Sequence, residues 1–125
     1  MQTCKEITQA ATWVDLLTQM ERHPRLIGIL QSSGSLARQF SACCQHHDLM
    51  SFCTTTTLEQ QLMAETIAAS GCDTLISDRQ HYDLLIYILS LQHKPMTIIL
   101  NQECWTPDWC WQLPRHRFLC QQDLD

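Results

Sequence analysis

Three short apolar runs constrain this chain more than anything else in it. They are LIGIL at 26–30, Thr74 to Ile76 within DTLISD at 73–78, and MTIIL at 96–100, with helical patterns between them. Short apolar runs without a regular polar alternation are what strands buried on both faces look like. Strands of that kind, alternating with helices, predict an α/β fold, an open parallel sheet with helices on both faces. Right-handed crossovers then leave few topologies.

The intervening segments fit. Residues 5–21 read as a helix, with Ile7, Ala10, Ala11, Val14, Leu17 and Met20 at helical spacing and Trp13 and Leu16 widening the stripe. His23-Pro24 ends it, because a residue before proline is pushed out of the helical region. A second helix is expected over 36–47, with Leu36, Phe40, Cys43, Cys44 and His47 on one face, and a strand over 49–53. Thr57 to Gln60 has the form of a capping box, opening a helix with Leu58, Leu62, Met63 and Ile67 as its stripe and Gly71 as its stop. The helix at 82–91 is apolar nearly all round and should be well covered. Thr106-Pro107-Asp108 starts a helix that Pro114 keeps short, and 117–120 reads as a fifth strand. There are no repeats and no linker, so one domain is expected over 1–125, an N-terminal helical extension at 1–24 and an α/β core at 25–121.

Composition excludes several classes. The net charge is −5, so nucleic acid is not an expected partner. No run of eighteen apolar residues indicates a membrane span, and the first twenty residues do not form a secretory signal. Eight cysteines sit mostly within apolar patterns, as reduced thiols packed like small hydrophobes do. A cytoplasmic location is the expectation.

With these elements in order, the chain resembles a response-regulator receiver domain, whose five-stranded sheet is flavodoxin-like. DTLISD resembles the third receiver strand, which ends in the phosphoacceptor, here Asp78; MTIILN resembles the fourth and RFLCQ at 117–121 the fifth. Asp78 lies 47 positions after Gln31, close to the separation a receiver needs. The chemistry departs from the family. Where a receiver has acids after its first strand, this chain has Gln31, Ser32 and Ser33; the fourth strand ends in Asn101 rather than Ser or Thr, and the lysine position holds Gln121. A lone carboxylate cannot hold Mg²⁺ tightly or offset the charge of a transferred phosphoryl group. The resemblance therefore implies a pseudo-receiver, a non-catalytic regulatory module with no cofactor. Only residues 122–125 follow the fifth strand, where a receiver has a helix, and residues 5–21 have no receiver counterpart. The N-terminal helix is expected to cover the sheet face that the missing helix leaves bare, or else to pair with another chain.

Each candidate site has a plain structural alternative. Asp78 is either a residual phosphoacceptor or a cap accepting N–H bonds near residues 80 and 81. QSSGS at 31–35 is either an anion loop or ordinary turn and cap chemistry. Cys43 with His47 could supply two zinc ligands where a structural site wants four, and Cys104, Cys110, His116 and Cys120 have spacings that match no compact zinc module, so no metal is expected. Cys104 with His116 as nucleophile and base lacks any local mark of an activated thiol. Trp105, Trp109 and Trp111 are expected to meet a partner protein or to cover the sheet, with Trp105 and Trp109 sharing a face of the short helix. The partner is a protein, a second copy being one option. The alternative function is a small-ligand sensor at the carboxyl ends of the strands, using Gln31, Ser32, Ser33, Thr54, Thr55, Asp78, Asn101 and Gln102.

Overall fold

The computed structural model describes the backbone of residues 2–54 and 59–124 and, within it, the side chains from Gln9 onward. Thr55 and the Thr57–Leu58 start of the expected capping box lie outside the described residues. In chain order the elements are α1 (Gln2–Gln19), β1 (Ile27–Leu30), α2 (Gly34–His46), β2 (Ser51–Cys53), α3 (Gln60–Ala69), β3 (Thr74–Ser77), α4 (Tyr82–Leu91), β4 (Thr97–Leu100) and β5 (Arg117–Leu119). Short 3₁₀ turns follow β3 (Arg79–His81), β4 (Asp108–Gln112) and β5 (Gln121–Leu124).

All strand pairs are parallel, in the order β2-β1-β3-β4-β5. This is the doubly wound order that flavodoxin and receiver domains share. Period-two alternation sorts the strand residues between two layers. Ile27, Ile29, Ile76, Ile99 and Leu119 face α1 and α2; Leu30, Leu75, Ile98 and Leu100 face α3 and α4. At Gly28 a Cβ would stand 2.7 Å from Leu75 Cδ2 and 3.0 Å from Phe52 Cζ, so the middle of β1 admits no larger residue unless those side chains move.

The N-terminal helix is part of the core rather than an appendage. Ala10, Trp13, Val14 and Leu17 are fully buried and pack with Leu36 and Phe40 of α2 on the sheet. Burying each of the larger side chains contributes about 1.5–3 kcal/mol. This is the face-covering role expected of it.

Several expectations need correction. The described part of α3 starts at Gln60 with Glu59 at its cap, and its buried face is Met63, Ala64 and Ile67; Leu62 points to solvent. α4 is buried on one side only, with Ile86 and Leu91 exposed, because a single helix layer covers that face. Between β4 and β5 there is only a five-residue 3₁₀ turn, so Trp105 and Trp109 share no helical face. Gly71 behaves as expected: it follows the Ser70 cap at φ +81°, the left-handed conformation that glycine adopts without steric cost.

Candidate functional site

The carboxyl ends of β1, β3 and β4 bring together Gln31, Ser32, Asp78 and Asn101, as the parallel strand order allows. They are occupied with one another. Asp78 is 1% exposed; its Oδ2 accepts the Ser32 N–H at 2.6 Å and its Oδ1 lies 2.6 Å from Nδ1 of His81. Burial by itself would raise the Asp78 pKa, but the hydrogen bonds from His81 and Ser32 outweigh it and hold the carboxyl below its ordinary range. The expected partners, N–H groups near residues 80 and 81, are replaced by a ring three residues away and a backbone group across the sheet. The cause is local. Asp78 is extended, at φ −90° and ψ 176°, and its side chain caps nothing in the following 3₁₀ turn.

Beside this pair, Gln31 and Asn101 exchange their amides. Gln31 Nε2 donates to Asn101 Oδ1 at 2.9 Å, and Asn101 Nδ2 donates to Gln31 Oε1 at 3.0 Å. The Gln31 amide also reaches Ile76 O, and Gln9 of α1 donates to the Asn101 carbonyl. Ser33 caps α2, its Oγ accepting the Leu36 N–H at 3.2 Å, so QSSGS carries cap chemistry. Gln121 is not part of this constellation; its N–H donates to Glu103 O, on the link between β4 and β5. Gln102 lies on the rim, accepting the Arg79 N–H, and Arg79 pairs with Glu103 at 2.8 Å.

An open cavity of about 340 Å³ remains outside this network, lined by Ser32, Gln60, Met63, Gln80, His81, Asp83 and Leu84.

The thiol and imidazole candidates are separated. Among the described residues no group of three or more His, Cys, Asp and Glu could hold a metal ion. His47 pairs with Asp15 at 3.1 Å rather than with Cys43. His116 is buried, and its Nδ1 accepts the Met96 N–H at 3.1 Å, a structural use that leaves Cys104 without a base. Cys120 Sγ contacts the Cys104 carbonyl instead. Burial pushes the Cys110 thiol up to about 12, far from an activated thiolate.

The tryptophans divide. Trp109 is part of the core cover, edge-on to Tyr82 and to Phe118 at ring distances of 5.4 and 5.6 Å. Trp105 and Trp111 are 73% and 78% exposed. Trp111 forms one wall of an apolar groove of about 300 Å³ with Thr106, Cys110, Pro114, His116 and Phe118. The sequence reading missed His81. Its signal was present, since a histidine three residues after a strand-end aspartate is within reach of it when the chain turns at once.

No family model and no curated protein matches this chain. Solved structures do. The adenylation domain AlmE of Vibrio cholerae, in complex with glycyl-adenosine-5'-phosphate, is similar at a TM-score of 0.73 with 17% identity, over 91% of this chain and 22% of that one. IdnL7 is similar at a TM-score of 0.60 with 18% identity, over 81% of this chain and 19% of that one. This likeness is one of fold. The chain spans about a fifth of each of these proteins. No helix among the described residues is long and apolar enough to cross a membrane.

Proposed function

We propose that this chain is a non-catalytic regulatory module that acts by binding another protein, through the segment between β4 and β5. The observation that carries the reading is the exposure of Trp105 and Trp111 on either side of Trp109, which is itself packed. Two large rings left in water beside an apolar groove are costly unless something covers them, and tryptophan is the residue most enriched at binding hot spots. Arg117 is exposed on β5, the edge strand of the same region, which suits a partner with an apolar patch flanked by carboxylates.

The strand-end network supports the non-catalytic half of the reading. A phosphoacceptor must be reachable and needs acidic neighbours for Mg²⁺. Asp78 is buried, with Ser32 and His81 on its two oxygens. The same internal pairing favours protein binding over ligand sensing at this edge, because Gln31, Asn101 and Asp78 have their hydrogen bonds filled.

The test has two arms. Intact mass after incubation with Mg²⁺ and acetyl phosphate is expected to be unchanged; a phosphoryl group on Asp78 would overturn the reading. Cross-linking with the parent chain and with a Trp105→Ala/Trp111→Ala variant is expected to give a partner, or a dimer, that the folded variant loses. Equal recovery by both chains would remove this surface from the proposal.

A further inference from the structure

The opposite edge of the sheet holds a second feature, independent of the tryptophan surface. Arg22 and Arg25 lie on the segment entering β1, and Lys94 on the segment entering β4. Because β1 and β4 flank β3, these two segments stand on either side of the β3 entry. The three cations line one cavity of about 530 Å³, the largest of those described.

The chain has eight Lys and Arg and a net charge of −5, so three of its eight cations at one cavity is a concentration against the overall charge. None of the three side chains has an ion-pair or hydrogen-bond partner among the described residues, whereas Arg79 is held by Glu103 and Arg115 by the His93 carbonyl. Among those residues one carboxylate lines the cavity, that of Asp73, and its oxygens accept the N–H groups of Arg25 and Leu26 at 3.0–3.4 Å. Ser70 donates to Ile67 O and Gln92 to Ala68 O. The three unpaired side chains are all positive. The lining also has an apolar part: Met50, which is exposed, with Pro95 and Met96.

Three unpaired cations suit a dianion, and guanidinium matches phosphate geometry with paired donors. The volume falls within the usual span of small-ligand sites, about 300–1,000 Å³, and far exceeds a bare phosphate. We propose that this cavity binds a phosphate ester of nucleotide size, its phosphate held by Arg22, Arg25 and Lys94 and its planar or apolar body laid against Met50 and Pro95.

The experiment is a titration of the full chain with AMP, UMP, inorganic phosphate and succinate, followed by amide NMR and calorimetry. At least one nucleotide is expected to saturate the chain more tightly than phosphate or succinate, with shifts confined to residues 22–26, 70–73 and 92–96. Affinity should fall as salt rises. The Arg25→Ala/Lys94→Ala variant should keep the parent Tm and bind at least about tenfold more weakly, the loss of a charge-assisted contact. No saturation by either nucleotide, equal binding of succinate or of free phosphate, shifts centred elsewhere, or undiminished binding by the folded variant would each overturn the proposal.

Discussion

His81 Nδ1 lies 2.6 Å from Asp78 Oδ1, and the carboxylate's other oxygen accepts the Ser32 N–H, also at 2.6 Å. A buried carboxylate with both oxygens engaged is a fastener between β3 and the loop after β1. Asp78→Ala leaves the Ser32 N–H and the His81 ring without their partner and is expected to destabilise the fold by about 3 kcal/mol. Because hydrogen bonding holds the Asp78 carboxyl low, its contribution is present above the unfolded carboxylate pKa, about 3.9, and is lost as pH falls below it. Urea unfolding of parent and variant from pH 7 to pH 3 measures both effects; curves that stay parallel at low pH would contradict the second.

His116 gives an acid sensitivity at higher pH. Burial, with Arg115 nearby, pushes its pKa down, and its neutral Nδ1 accepts the Met96 N–H. A depressed histidine stabilises the fold above its unfolded pKa, about 6.5, and that stability is lost as pH falls toward the folded value. Thermal melts of a His116→Asn variant should therefore show a weaker dependence on pH below about 6.5 than those of the parent.

Gly28 sits where β1 is squeezed between Leu75 and Phe52. Gly28→Ala places a Cβ 2.7 Å from Leu75 Cδ2, so overpacking is expected to cost about 2 kcal/mol. Denaturant midpoints would read this directly, and an unchanged midpoint would mean that Leu75 and Phe52 relax freely.

The tryptophans should separate by role. Trp13→Ala empties a fully buried site and is expected to cost about 4 kcal/mol, while Trp111→Ala, on the surface, should stay within about 0.5 kcal/mol. The same melts would contradict an integral α1 if Trp13→Ala were as mild as Trp111→Ala.

Thiol labelling should follow exposure. Of the cysteines with described side chains, Cys104 is expected to react with maleimide first and Cys53 more slowly, since burial raises the Cys53 pKa. Cys44, pushed up to about 11, and Cys110, pushed up to about 12, should label only on unfolding. Peptide mass mapping after timed labelling checks the order.

The layer structure is legible in the apolar pattern alone. Apolar runs such as LIGIL and MTIIL admit only strands covered on both sides, and the 3.6-residue stripes of 5–21 and 36–47 admit only helices laid on them. The sequence also identified the strand-end residues Gln31, Asp78 and Asn101, because parallel connectivity brings the residues following each strand to one edge. What it could not carry was the pairing of polar groups across that edge. Asp78 meets Ser32 over 46 residues and Gln31 meets Asn101 over 70, and such partners are chosen by register and side-chain reach, not by local pattern. The same holds for Trp109 against Trp105 and Trp111. Their spacing reads as a helix, but five residues of 3₁₀ turn before Pro114 send one ring onto Phe118 and leave two in water. Arg22 and Arg25 share one segment while Lys94 lies far along the chain, and only the strand order draws Lys94 to the same cavity.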